Sequence, residues 1–146
     1  MASITQANRY RLQAENVRVT DYNAPGVANT AAVVYIPSAS LVAHVITAVD
    51  FSYAGTGTLS GGSITIADGS TTIWSMGISN YDAYTKFFDP PLRITPGNGA
   101  TITLTAGGSA ATGTLAVQRY LEPWYQAVGM ATDFSLSSNS GYLALV

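Results

Sequence analysis

A chain of 146 residues with no cysteine and one histidine is long enough to bury a core without cross-links, and it lacks the ligands for a thiolate zinc site, a haem or a Cys–His nucleophile. Charged residues make up 10% of it and the net charge is −2, against about 25% charged residues in ordinary globular domains, which argues against the clustered basic footprint of a nucleic-acid binder. Its most apolar run, LVAHVITAV from Leu41 to Val49, is too short to cross a bilayer as a helix, and MASITQANRYRLQ has no secretory apolar run, so the chain reads as soluble with neither nucleic acid nor membrane as partner.

Residues 1–28 carry three of the six basic residues, Arg9, Arg11 and Arg18, interleaved with Tyr10 and Leu12. The short alternation VRV is broken at once by DYNAPG, so this segment is expected to be an arm, either solvated or docked on a partner. TAAVVYIP reads as a strand stopped by Pro37. In LVAHVITAVDFSY, the residues Val49, Phe51 and Tyr53 alternate with Asp50 and Ser52, and the same period carried upstream places His44 on the Asp50 face. AGTGTLSGG shifts the alternation and predicts a bulge or long turn at Gly61 and Gly62. SITIAD and TTIWSMGIS then predict a hairpin about Asp68-Gly69, with Ile64 and Ile66 on one face and Trp74, Met76 and Ile78 together.

The stretch FFDPPLRITPGNG, Phe87 to Gly99, meets two prolines that cannot donate to a ladder. It predicts a crossover: Phe87 and Phe88 close one sheet, Asp89-Pro90-Pro91 passes over the rim, and Leu92 and Ile94 enter the other sheet. Pro96 to Gly99 then turns the chain into ATITLTA, where Ala100, Ile102 and Leu104 share a face. TGTLAVQRY aligns Leu115 and Val117, and the connection GGSAATG predicts a second hairpin. Residues 121–146 contain Trp124, Tyr125, Phe134 and Tyr142, too much apolar surface to leave in water. They either pad the sandwich or bury against another chain. The fold class expected is all-β, an antiparallel two-sheet sandwich over residues 29–120 with extended arms at 1–28 and 121–146.

Catalytic chemistry finds little support. The lone His44 reads as a satisfied structural histidine, serine is compositional background, and no GxSxG elbow occurs. The eight acidic residues are scattered, which fits neither a two-carboxylate hydrolase nor a calcium cluster. GTGTLSGG and TAGGSAATG lie between strands, and no GK[ST] follows them, so they are turns rather than phosphate cradles. No catalytic residue, metal ligand or cofactor is expected, and the chain is not read as an enzyme.

The order of HVITAVDFSYAGTGTLSGGSITIADGSTTIWSMGIS and FFDPPLRITPGNGATITLTAGGSAATGTLAVQRY resembles small jelly-roll proteins encoded beside the capsid genes of tailed bacteriophages. The resemblance covers residues 42–120 and is carried by SITIADGSTTIWS, the PPLR stretch and TLTAGG. It implies a jelly-roll sandwich acting as a capsid decoration, or cement, protein on the virion surface, assembled in the host cytoplasm. The implied partners are the major capsid protein and further copies of the chain, as a dimer or trimer. On that reading the arms are the working parts, with Arg9, Tyr10, Arg11, Arg18, Trp124, Tyr125, Phe134 and Tyr142 as the partner-binding residues. The alternative is a receptor- or carbohydrate-binding module of a phage on the same sandwich.

Overall fold

A computed structural model describes residues 18–123. They form eight strands: β1 (Arg18–Asn23), β2 (Ala32–Ile36), β3 (Val42–Gly55), β4 (Ser63–Asp68), β5 (Thr71–Gly77), β6 (Tyr84–Arg93), β7 (Ala100–Leu104) and β8 (Ala111–Pro123). Two four-stranded antiparallel sheets result, in the orders β1-β8-β3-β6 and β2-β7-β4-β5. The pairings β1–β8, β2–β7, β3–β6 and β4–β5 are nested inside one another. They describe one long hairpin rolled up about its tip, which is the jelly roll.

The core forms because inward positions alternate along every strand and are apolar on both sheets. Ile46, Val49, Phe51, Leu115 and Val117 from the first sheet meet Val34, Ile36, Ile64, Ile66, Ile102 and Leu104 from the second, and all are buried. Each such side chain contributes about 1.5–3 kcal/mol relative to exposure. Tyr53 reaches the core edge, and its hydroxyl donates to the Thr105 carbonyl at 2.7 Å. At the β5 and β6 edges, Trp74 and Phe88 meet edge to face at 5.2 Å and close the gap between the sheets.

Several expectations need correction. Residues 18–23, expected in the amino-terminal arm, form β1, whose whole length pairs with β8; the buried side of VTDYN is supplied by tertiary pairing, not by local pattern. The DPP stretch is no crossover. β6 stays on the edge of the first sheet, pairing Phe87 with Ala48 and Leu92 with Ile46, so that Phe88 to Pro91 oppose Thr47 alone. An edge strand tolerates prolines, and this wide bulge absorbs them. The sheet change comes later, at Ile94 to Gly99, where Asn98 N–H donates to the Thr95 carbonyl at 2.9 Å. Gly97 lies at φ +86° behind Pro96, as a type II turn requires.

The second expected hairpin, β7 to β8, is also absent. β8 is already flanked by β1 and β3, and β7 by β2 and β4, so neither has a free edge for the other. GGSAATG instead carries the chain between sheets. Gly107 lies against the Tyr53 ring, where a Cβ would come within 2.8 Å of Cε1. The β4–β5 hairpin does form, but its two-residue loop is Gly69-Ser70, and Asp68 remains in the strand. Finally, the register shift at Thr47 reverses the alternation of β3. His44 therefore shares the inward face of Ile46 and not the face of Asp50.

Asp68 fastens the rolled tip to the PGNG turn. Its carboxylate accepts from Thr95 N–H at 3.0 Å, Thr95 Oγ1 at 2.6 Å and Asn98 Nδ2 at 2.9 Å. Burial alone would raise its pKa, but these hydrogen bonds outweigh burial and hold it below the ordinary value of 3.8. A depressed carboxylate stabilises the fold above its unfolded pKa and loses that contribution as pH falls through the folded one. Asp68→Ala is expected to cost about 1–3 kcal/mol in urea unfolding at neutral pH, with the deficit shrinking below about pH 4; a deficit independent of pH would contradict this. Gly107→Ala, which drives a methyl into a packed ring, is expected to cost about 1–3 kcal/mol, and an unchanged urea midpoint would show that Tyr53 can yield.

Candidate functional site

One row of side chains crosses all four strands of the first sheet on its outer face. Arg18 of β1 pairs with Tyr120 of β8, Tyr120 with Val45 of β3, and Val45 with Arg93 of β6. The Arg18 guanidinium carbon stands 5.1 Å from the centre of the Tyr120 ring, a cation–π contact. Beside this row, Arg93 NH1 reaches Glu122 Oε2 at 3.2 Å. These two belong to strands on either side of β3, and they meet because the residues between them, Ala43 and Val45, are small. The three arginines of the described residues, Arg18, Arg93 and Arg119, thus gather at one end of one sheet.

Arg119 points the other way, into the gap between the sheets. Its Nε donates to Asp21 Oδ2 at 2.6 Å, and its NH1 lies 3.3 Å from His44 Nδ1. His44 Nε2 lies 3.1 Å from the Pro37 carbonyl, which can only accept. The network therefore assigns the proton to Nε2 and leaves Nδ1 as the acceptor from Arg119. His44 is buried at 4% exposure, and burial pushes its pKa below the ordinary 6.5, with Arg119 adding to the effect against the Pro37 carbonyl and Asp21. Both ring nitrogens are committed, so His44 ties the two sheets together at this end and presents no free base.

Of the expected partner-binding residues, Arg18 lies in this row. Arg9, Tyr10, Arg11, Trp124, Tyr125, Phe134 and Tyr142 lie outside the described residues. The chain enters the first sheet at Arg18 and leaves it at Pro123, three positions beyond the Arg18–Tyr120 pair. Segments 1–17 and 124–146 are therefore joined to the sandwich at the same corner, beside the arginine row. Sequence reasoning did not find Arg93, Glu122 or Asp21 as members of this corner. Their meeting depends on a register between strands some 30 to about 100 positions apart, which no local pattern encodes. Among the described residues, no group of three or more His, Asp or Glu side chains is placed to hold a metal ion.

No protein-family model matches the chain, and no curated protein matches it by sequence. Among solved structures, it is similar to a subunit of the disulfide-linked pili of Bacillus endospore appendages, at 16% identity over 73% of this chain and 86% of that one, with a TM-score of 0.39. It is also similar to a carbohydrate-binding module, CBM36, solved with calcium and xylotriose, at 12% identity over 72% and 93%, TM-score 0.39. A third is the virus-like particle of Macrobrachium rosenbergii extra small virus, at 18% identity over 73% and 79%, TM-score 0.34. At such values these likenesses carry no argument about binding or activity.

The His44 network makes stability pH-dependent. Because the folded pKa of this base is depressed, the unfolded chain takes up the proton first, and stability present above about pH 6.5 is lost as pH falls through that value. A protonated His44 also sets a second cation against Arg119. The melting temperature of the native chain is expected to drop more steeply between about pH 7 and about pH 5 than that of His44→Gln, which keeps a donor and an acceptor. Parallel curves for the two proteins would remove His44 from the account.

Proposed function

We propose that the chain is a structural capsid decoration protein of a tailed bacteriophage and not an enzyme. It sits outside the icosahedral shell as a dimer or trimer and braces neighbouring major capsid subunits, having assembled onto it in the host cytoplasm. The observation that supports this most is the shared corner: an arginine-rich and an aromatic-rich segment join the sandwich at adjacent strands, next to the Arg18–Tyr120 contact. Arginine, tyrosine and tryptophan are the side chains that most often dominate binding energy at interfaces. Two such arms leaving one corner can straddle a junction between two subunits while the sandwich stays rigid.

The low charge is consistent with the same role. A surface held in water by hydroxyls and amides can be covered by a neighbour without the cost of burying unpaired charges.

Co-sedimentation tests the proposal. The full-length chain is mixed with undecorated shells of the phage that encodes it, and the shells are pelleted. The full-length chain is expected in the pellet, and deletion of residues 124–146, which spares β8, is expected to weaken binding at least about tenfold. Full-length chain left in the supernatant would overturn the decoration reading. Equal pelleting of the truncated chain would remove the carboxyl-terminal arm from it.

A further inference from the structure

The second sheet carries a different surface. Of the charged residues that lie in strands, Asp68 alone belongs to it, and its carboxylate is consumed by Thr95 and Asn98. The sheet's exposed surface is otherwise rich in threonines and serines, with Val33 and Ile73 also exposed and Tyr35 projecting at 67% exposure. Tyr35 pairs with Thr101 of β7, and beside them opens a hollow of about 390 Å³, within the size range of small-ligand sites. Ser38 and Asn98 complete its polar wall, and bare backbone at Gly69, Gly97 and Gly99 forms much of the rest.

Three properties make this hollow more than a dent. No hydrogen bond within the described residues engages the Tyr35 hydroxyl, Ser38 Oγ, Thr101 Oγ1 or Asn98 Oδ1, so four uncharged polar groups are available at once. The walls are fixed: Asn98 Nδ2 is held by Asp68 at 2.9 Å, and Gly69 N–H donates to the Gly99 carbonyl at 2.9 Å. The backbone at Gly99 packs so tightly on its neighbour that a Cβ there would stand 2.6 Å from the Ile36 carbonyl. A site whose groups are locked before binding loses little entropy when a ligand arrives.

We propose that this hollow binds a neutral saccharide. A sugar ring offers an apolar face, which an exposed tyrosine ring covers, and a rim of hydroxyls that both donate and accept, which the hydroxyls and amide oxygen around Tyr35 match. A phosphate or acidic sugar would find no cation here, since no arginine or lysine lies in the second sheet's strands. A lipid chain would find no enclosed apolar cavity. The site lies toward the same end of the sandwich as the arginine corner, where Gly97 N–H donates to the Val42 carbonyl at 3.1 Å, but it is built on the other sheet and does not rest on the decoration reading: a chain that fails to bind shells can still bind sugar here, and the reverse.

Backbone amide shifts of the ¹⁵N-labelled full-length chain, followed while cellotetraose, maltotetraose or chitotetraose is added, test the site. Tetragalacturonic acid serves as the charged comparison. At least one neutral tetrasaccharide is expected to give saturable shifts centred on Tyr35, Asn98 and Thr101. Tyr35→Ala, an exposed position whose loss leaves the core intact, is expected to weaken binding about tenfold, and Thr101→Val about threefold. Tyr22→Ala, an equally exposed tyrosine on the first sheet, is expected to change nothing. No saturable shift with any neutral tetrasaccharide up to about 10 mM, binding unchanged by Tyr35→Ala, or equal binding of the acidic sugar would each overturn the proposal.

Discussion

The pairing of β3 with β8 is the constraint from which the rest follows. These two long strands run antiparallel from Val42 opposite Pro123 to Gly55 opposite Ala111. Each then has one free edge, which β6 takes on β3 and β1 takes on β8. With both edges filled, β7 must pair elsewhere, and the chain is forced to shuttle between sheets at nearly every connection. The rolled hairpin is the topology that satisfies all these pairings at once. It also explains why β1 sits where it does: a strand of mixed composition is held by a ladder to β8, and the Asp21–Arg119 ion pair adds to it from the inner side.

Much of this was legible in the sequence, because it depends on period two. The inward residues of β4, β5, β7 and β8 were identified from alternation alone, and the tip hairpin from its Asp-Gly. What failed was anything set by partners far along the chain. VTDYN lacks enough apolar content to declare itself a strand, and only its pairing with residues 115–120 makes it one. Alternation alone puts His44 on the wrong face, because a single bulge at Thr47, invisible in LVAHVITAV, reverses every position before it. The prolines were rightly kept out of a central strand. Local sequence suggests a crossover for them, whereas a bulged edge strand is the solution the fold adopts. The arginine row was illegible for the same reason: Arg18, Tyr120 and Arg93 become neighbours only through register.

The two sheets divide the molecule chemically. The first carries every strand arginine, with the segments before Arg18 and after Pro123 attached at its arginine-bearing end, and several of its polar contacts are charge-assisted. The second is almost free of charge, and its exposed groups are hydroxyls, an amide, one tyrosine ring and the apolar side chains of Val33 and Ile73. A jelly roll is suited to such a division, because its core is sealed between the sheets and each outer face can be composed independently. Under the proposed reading, the first sheet's corner holds the chain to a shell while the second faces away, with its own surface for a different class of ligand.

Cryo-electron microscopy of shells assembled with the full-length chain tests the central claim most directly. The account predicts extra density outside the shell that accommodates the eight-stranded sandwich at local symmetry axes. The corner bearing Arg18, Tyr120 and Pro123 should be turned toward the capsid subunits, and density should continue from it onto two of them. A shell without added density, or a sandwich attached through its second sheet with the arginine corner facing solvent, would contradict it.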